Sequence, residues 1–297
     1  MSESAAGLAE FDRHRPLLFS IAYEITGSVA DSEDVLSESW LRWQESDTDD
    51  VQNVRAYLAR IVTRQALNAM RAASRRREEY VGPWLPEPLE TVGGDALDHV
   101  LTGEAVTTAM LLVLESLTPT ERAVFVLREV FDFGYPEIAA AVAKSEAAVR
   151  QIASRARAHV RARRTAAIAS PGEAKSVAEK FMTTAATGDL DGLMELLAPG
   201  VVVLSDGGGV VSAARRPVVG VERAARFLLG LFALGDKMGE IGMTMTEVNG
   251  MPAFLVTVDG VLDLVLCVEV SDGRVTALYT VRNPEKLAWF RGRTELS

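Results

Sequence analysis

A single cysteine, Cys267, stands among 297 residues. That scarcity excludes an intrachain disulfide and any thiolate metal cluster, and it is compatible with a cytoplasmic setting. Histidine is almost as rare: His14, His99 and His159 are the whole supply, and none lies in the C-terminal third of the chain. Long apolar runs are missing too. Leu17 to Tyr23 is too short and too charged at its edges to span a bilayer, and no small-residue cleavage pattern follows it. A cytoplasmic protein without membrane attachment is the expectation. Positive charge is not in excess either, since the formal net charge is −10. The surface as a whole is therefore unsuited to nucleic acid, and any DNA contact has to come from local basic faces.

What is present is a hydrophobic fraction of 48% with 24% charged residues, enough to bury the cores of two or three globular domains. Charge is segregated along the chain. Val51 to Arg77 carries arginines and no acid, whereas Glu78 to Leu117 carries acids and neither lysine nor arginine. Such segregation implies modules with different partners.

The most informative stretch is Gly134 to Arg164, GYPEIAAAVAKSEAAVRQIASRARAHVRARR. Pro136 suits the first turn of a helix, Glu137 its positive end, and Ile138, Ala139 and Val142 give it one apolar face, with Lys144 at its end. Ser145 can cap a second helix in which Val149, Ile152, Ala153, Ala156 and Val160 form a buried stripe. Arg150, Arg157, Arg161 and Arg164 fall on a neighbouring face, suited to phosphates, while Arg150, Gln151 and Ser154 in the N-terminal half can reach base edges. An arginine-rich helix alone reads as an ordinary solvated basic face. The short helix before it makes a helix-turn-helix the better reading.

Three further helices precede this pair. Phe11, Leu17, Leu18, Ile21, Ala22 and Ile25 have helical spacing, and Gly27 stops that run. A second helix from about Ser28 carries DSEDVLSESWLRW, with Val35, Leu36, Trp40 and Trp43 near one side and Asp31, Glu33, Asp34 and Glu38 outward. Those acids fit simple solvation and a protein-docking face equally well. A third helix from about Asn53 buries Val54, Tyr57, Leu58 and Ile61, with a flank of Arg55, Arg60, Arg64, Arg71 and Arg75 to Arg77 interleaved with Gln65 and Asn68. Arginine, asparagine and glutamine beside a tyrosine can hold a backbone and stack or hydrogen-bond an unstacked base, although a solvated basic helix remains the alternative.

The order of the acidic DSEDVLSESWLRW helix, the basic VRAYLARIVTRQALNAMRAASRRR helix, a linker, and LTPTERAVFVLREV followed by the helix-turn-helix resembles a bacterial RNA polymerase sigma factor of the extracytoplasmic-function group, over about residues 8 to 166. The resemblance implies that Asp34, Glu38, Trp40 and Leu41 contact the coiled coil of the large polymerase subunit. It puts Arg64, Gln65, Asn68, Arg71 and Arg75 near the −10 element, which that helix melts and reads. It assigns Ser145, Arg150, Gln151, Ser154, Arg157 and Arg161 to the −35 element. The partners implied are core polymerase, through its β′ and β subunits, and promoter DNA.

Tyr80 to Leu89, YVGPWLPEPL, has three prolines and is expected to be an extended, semi-rigid spacer in which Trp84 must bury its ring on something. In sigma factors the equivalent linker threads into the polymerase, and Glu87, Glu90, Asp95 and Asp98 suit such a passage. Glu104 to Leu117 reads as helical, Thr118 to Glu121 as a capping box, and Phe131 and Phe133 as the close of a small core. Ala162 to Ser170 loses the apolar stripe, and Pro171-Gly172 marks a boundary.

Beyond it, Glu173 to Thr187, Leu190 to Leu197 and Val221 to Leu234 read as helices. Met243 to Val248, Pro252 to Val258, Val261 to Val270 and Arg274 to Val281 read as strands joined by Asn249-Gly250, Asp259-Gly260 and Asp272-Gly273. Helices first and an antiparallel meander last make an α+β cone that resembles the SnoaL-like, NTF2-like fold. The expected architecture is thus multidomain, with two all-α modules and the cone: residues 1–79 (sigma region 2), 80–103 (linker), 104–168 (region 4) and 173–297 (SnoaL-like domain).

The whole resembles extracytoplasmic-function sigma factors with a fused SnoaL-like domain, on Trp84-Leu85-Pro86-Glu87-Pro88, Asp206-Gly207-Gly208-Gly209 and Asn283-Pro284-Glu285-Lys286-Leu287. In that subgroup these motifs mark the surface by which the extension contacts and regulates the sigma modules. Two departures are Val210, where the family usually has arginine, and Glu285, where it has aspartate. The implied function is promoter-directed initiation modulated by the chain's own C-terminal domain, without enzymatic activity, cofactor or metal, and with a monomeric free state. Two other readings stay open: a cyclase- or isomerase-type enzyme using Asp206 or Asp263, and a one-component DNA-binding regulator that responds to a ligand.

Overall fold

The computed structural model describes residues 3–46, 51–91, 107–163, 169–235 and 238–294, which gather into two compact units. The first comprises Met1–Glu78, Gly93–Val106 and Met110–Arg164; the second comprises Glu79–Val92, Thr107–Ala109 and Thr165–Ser297. The linker residues Tyr80 to Thr91 thus belong with the C-terminal part of the chain.

The first unit contains α1 (Glu3–Thr26), α2 (Val29–Gln44), α3 (Val54–Glu78), α4 (Thr108–Glu115, whose first turn counts with the second unit), α5 (Pro119–Phe125), α6 (Tyr135–Val142) and α7 (Glu146–Arg163). A π-helical turn, Val126–Val130, extends α5. The punctuation expected of the sequence operates. Gly27, at φ 72°, ends α1 by donating to the Tyr23 carbonyl, and the Ser28 hydroxyl caps α2 by accepting from the Asp31 amide. Leu18, Ile21, Ile25, Leu36, Leu58 and Val62 are fully buried, as the helical periodicity requires of α1, α2 and α3. Thr118 and Glu121 close a reciprocal capping box at the start of α5, and the Thr118 hydroxyl holds the Glu121 carboxyl below its usual range.

The helix-turn-helix forms with one adjustment. Helix α6 stops at Val142 rather than Lys144, because Ala143 turns into the left-handed region at φ 52° and Lys144 donates its amide back to the Ala139 carbonyl. Ser145 accepts from the Ala148 amide, and Val149, Ile152, Ala153, Ala156 and Val160 are all buried.

Helices α1 and α5 meet at a buried polar contact. Arg122, with no exposed surface, donates Nε to the Glu24 carbonyl at 2.8 Å and pairs with Glu115 through its NH1. The Glu24 carboxyl is also buried, and its Oε2 has no hydrogen-bond partner among the described residues. Burial pushes it up to about 8, against the pull of Arg122.

In the second unit, α8 (Pro171–Ala186), α9 (Leu190–Leu196) and α10 (Val221–Gly235) share a core with a six-stranded sheet, centred on Phe181, Leu193, Val203, Val268 and Leu278. The strands are β1 (Leu197–Asp206), β2 (Val218–Val219), β3 (Ile241–Val248), β4 (Met251–Val258), β5 (Val261–Ser271) and β6 (Arg274–Val281), in the order β2-β1-β6-β5-β4-β3. The meander β3 to β6 is antiparallel as expected, and each turn has two positive-φ residues, such as Asn249 at 49° and Gly250 at 63°. Strand β1 adds to β6 in parallel, so the sheet is mixed. The sequence reading anticipated neither β1 nor β2, nor the closing helix α11 (Pro284–Thr294). Pro171-Gly172 proves to be a helix start, with the Ser170 hydroxyl accepting from the Glu173 amide and Pro171 in the first turn.

Candidate functional sites

Helix α2 presents Asp34 and Glu38 on its exposed face, next to Leu41, which is 58% exposed. Trp40 is half-buried, edge-on to Phe11 at 5.3 Å between centroids. Trp43 behind it donates to the Gly7 carbonyl, which ties the end of α2 to the start of α1. An exposed leucine ringed by acids on a rigid helix is suited to a protein partner.

The flank of α3 borders a cleft of about 420 Å³ lined by Arg42, Glu45, Ser46, Tyr57, Arg60, Ile61, Arg64, Gln65 and Asn68. Arg60 lies over the Tyr57 ring at 4.4 Å. Gln65 is only 7% exposed and donates to Glu38 at 2.6 Å, so a residue assigned to DNA is held by one assigned to polymerase. Asn68 accepts from Arg71. Arg64 donates NH2 to the Ala140 carbonyl at 2.8 Å and Nε to that of Ala141 at 3.3 Å, capping the last turn of α6. Arg55 and Asn53 reach the same module: Arg55 donates to the Phe131 carbonyl and covers the Phe133 ring, and Asn53 donates to Glu137. The Arg75 side chain lies outside the described residues.

On α7, Arg150, Gln151, Ser154 and Arg161 are exposed on one side, and Ser145 is exposed at its cap. Arg150 pairs with Glu146 and lies over the Tyr135 ring at 4.4 Å. Arg157 is half-buried and bonded through two nitrogens to Glu129, at 2.7 and 3.2 Å. Gln151, Ser154 and Arg161 thus stand exposed along this helix, and the exposed Arg150 head is shared with Glu146 and the Tyr135 ring.

In the second unit three separated motifs converge on one buried carboxylate. Asp206, at the end of β1, has no exposed surface. Its Oδ1 accepts from the Tyr80 hydroxyl at 2.5 Å and the Gly208 amide at 3.0 Å; its Oδ2 accepts from the Leu85 amide at 2.8 Å and Lys286 Nζ at 2.7 Å. Lys286, on α11, also donates to the Leu85 carbonyl and sits 4.0 Å from the centre of the Trp84 ring. Asn283 donates to the Tyr80 oxygen at 2.9 Å and caps α11 by accepting from the Glu285 amide. Leu85, Pro86, Pro88 and Leu287 are buried, while Glu87 and Pro284 are half-buried.

The glycines make this approach possible. A Cβ on Gly208, at φ 63°, would lie 2.4 Å from Asn283 Nδ2, and one on Gly207 would lie 2.5 Å from the Val211 carbonyl oxygen. Val210 and Glu285, the two departures from the family pattern, are both exposed. Tyr80 was missed by the sequence reading; burial and the Asp206 carboxylate push its hydroxyl well above its usual range. The linker continues into an isolated antiparallel bridge between Glu90 and Val248: Asn249 donates its amide to the Leu89 carbonyl at 2.8 Å, and the Thr91 amide donates to that of Glu247 at 2.9 Å. Asp263 forms a two-point pair with Arg282. Both acids considered for catalysis are therefore engaged in structural pairs.

Residues 11–76 match the family model for Sigma-70 region 2, and residues 107–160 match that for Sigma-70, region 4. The chain is 39% identical over 290 residues to the ECF RNA polymerase sigma factor SigJ of Mycobacterium tuberculosis, covering 94% of this chain and 92% of that one. It is 30% identical to the probable ECF RNA polymerase sigma factor SigI of the same species, over 97% of each. The crystal structure of M. tuberculosis SigJ superposes with a TM-score of 0.75 at 34% identity, covering 95% of this chain and 98% of that one.

Proposed function

The chain belongs to the extracytoplasmic-function RNA polymerase sigma factors, and from that premise we propose how its residues divide the work of promoter recognition. Asp34, Glu38, Trp40 and Leu41 dock on core polymerase. Arg64, Gln65, Asn68, Arg71 and Arg75 engage the −10 element along the α3 cleft, where Tyr57 and Arg60 offer a stacking wall for an unpaired base. The exposed heads of Ser145, Arg150, Gln151, Ser154 and Arg161 meet the −35 element in the major groove, with Arg157 completing the phosphate contacts.

The described arrangement of the first unit is a resting form. Arg64 and Arg55 are bonded to the module that carries the helix-turn-helix, so both must let go before α3 can meet DNA. In the second unit the linker is gripped by Asp206, Lys286 and Asn283, and this grip is the regulatory element: it sets how freely the linker can follow a path through polymerase. The convergence of Tyr80, Trp84 and Leu85 on the Asp206–Lys286 pair is the observation that carries this reading. The second unit acts by holding the linker and not by turnover, since Asp206 and Asp263 are both committed to cationic partners.

The test is transcription in vitro with bacterial core polymerase on a selected promoter library, with permanganate footprinting of the −10 region. The full chain initiates at defined promoters. Arg150→Ala with Gln151→Ala relaxes the −35 preference, and Asn68→Ala with Arg71→Ala lowers opening at −10. Failure of the full chain to bind core polymerase would instead favour a DNA-binding regulator that works without it.

A further inference from the structure

The Asn-Gly and Asp-Gly turns of the meander ask the same thing of their first residue, a positive φ, met at 49° by Asn249, 50° by Asp259 and 51° by Asp272. The three residues are not equivalent. Asp259 and Asp272 are exposed, as residues at turns ordinarily are, whereas Asn249 is only 4% exposed. Glycine would satisfy this backbone equally well, so the buried carboxamide answers to something other than the turn.

Its partners come from two parts of the chain. The Asn249 backbone amide donates to the Leu89 carbonyl at 2.8 Å, and its side-chain Nδ2 donates to the Thr108 hydroxyl at 3.2 Å. Thr108 is buried, opens α4 and also bonds the buried Cys267 thiol on β5. Beside Leu89 the linker is fastened to the same hairpin, with the Thr246 hydroxyl donating to Glu90 and the Thr91 hydroxyl to Glu247, each at 2.7 Å. One turn residue thus joins the linker to the helix with which region 4 begins. An aspartate, the choice at the other two turns, would bring a buried charge with no cation among these contacts.

We propose that Asn249 is a positioning residue, a clasp that holds the start of region 4 to the linker independently of Asp206, and that initiation requires it to open. The proposal rests on the reading that the second unit works by holding the linker. Asp206 and Lys286 engage Tyr80, Trp84 and Leu85, whereas the Asn249 contacts are with Leu89 and α4. Loss of the first set therefore leaves the second in place.

The two differ in strength as well as in place. Both bonds made by Asn249 are neutral, while the Asp206 grip includes a buried ion pair with Lys286. Charge-assisted bonds are roughly twice as strong as neutral ones, so the clasp is the contact that yields first.

Hydrogen exchange at the Leu112 and Val113 amides, which close the first turns of α4, and initiation with core polymerase test the proposal on the full chain carrying Asn249→Gly, Thr108→Val or both. Glycine keeps the turn and the bond to Leu89 and removes only the carboxamide. Each single substitution speeds exchange about fivefold, the factor carried by one net hydrogen bond. The double variant exchanges no faster than Thr108→Val alone, and Thr108→Ser, which keeps the hydroxyl, restores wild-type exchange. Initiation by Asn249→Gly rises several-fold with core binding unchanged. Effects that multiply in the double variant, or a Thr108→Ser variant as loose as Thr108→Val, overturn the clasp. So does initiation that falls or stays level while α4 is loosened. Asp206→Ala in the same assay separates the two claims: a change there leaves the hold on the linker standing without the clasp, and no change removes both.

Discussion

Among the described residues each unit buries one carboxyl, Glu24 in the first and Asp206 in the second, and the two are treated in opposite ways. Asp206 accepts from a tyrosine, two backbone amides and a lysine, so its desolvation is offset by a full set of donors and a cation. Glu24 shares its surroundings with Arg122, yet its Oε2 meets no donor among the described residues, and the arginine is committed to Glu115 and to the Glu24 carbonyl. The first arrangement holds a segment firmly. The second costs stability once the acid ionises. Elsewhere in the first unit, the bonds of Arg55, of Arg64 NH2 and of Asn53 are exposed and of the sort that salt and competing phosphates replace. The difference matches the proposed roles: α3 has to be released to DNA, whereas the linker is gripped.

The contrast can be broken from either side, most strongly at Asp206. Asp206→Ala strands the buried Lys286 ammonium and should cost about 3–5 kcal/mol, read as a fall in denaturant midpoint and as protease cleavage within Tyr80 to Thr91. The next largest effect is a pH slope. The Glu24 carboxyl, raised in the folded chain to about 8 from an unfolded value near 4.5, stays protonated in the fold while the unfolded chain has lost its proton. Its contribution is present below pH 4.5 and fades as pH rises towards 8, by up to about 1.4 kcal/mol per pH unit. Glu24→Gln should flatten that slope in chemical denaturation across this window. Gly208→Val forces a side chain into Asn283 at a left-handed φ and should cost about 1–3 kcal/mol, with the linker exposed as in Asp206→Ala. Trp84→Ala removes the ring over Lys286 and should loosen the same segment by about 0.5–2 kcal/mol. Smallest is the salt effect. Raising ionic strength from 0.1 to 1 M should increase amide exchange at the end of α6, where Arg64 binds, by less than about 1 kcal/mol, and leave the linker amides unmoved.

Much of this was legible in the residues. The stripes of α1, α2, α3 and α7, the helix start near Ser28 and the caps at Thr118 and Ser145 depend on neighbours within one or two turns, and such signals survive in a linear reading. The Asn-Gly and Asp-Gly turns gave the meander for the same reason. What was missed depends on distant partners. Strand β1 opens on Leu197 and runs through Ala198-Pro199-Gly200, which reads as a turn, and it becomes a strand by parallel pairing with β6 far along the chain. The prolines of the linker do suggest extended backbone, yet only β3 gives Glu90 a bridge partner, Val248. Helix α11 hid behind its motif, although Asn283 and Pro284 are a cap and a first turn. The motif residues were identified together, but Tyr80, which joins Asp206 to Asn283, carried no pattern of its own.

The central claim is that the grip on the linker controls a sigma factor's output, and promoter-specific initiation by wild type and Asp206→Ala, with binding to core polymerase measured alongside, tests it most directly. The account predicts that both proteins bind core equally while initiation by the variant departs several-fold from wild type. It also predicts a departure of the same sign for Lys286→Ala. Equal initiation by all three, with the linker shown by proteolysis to be released in the variants, would contradict it.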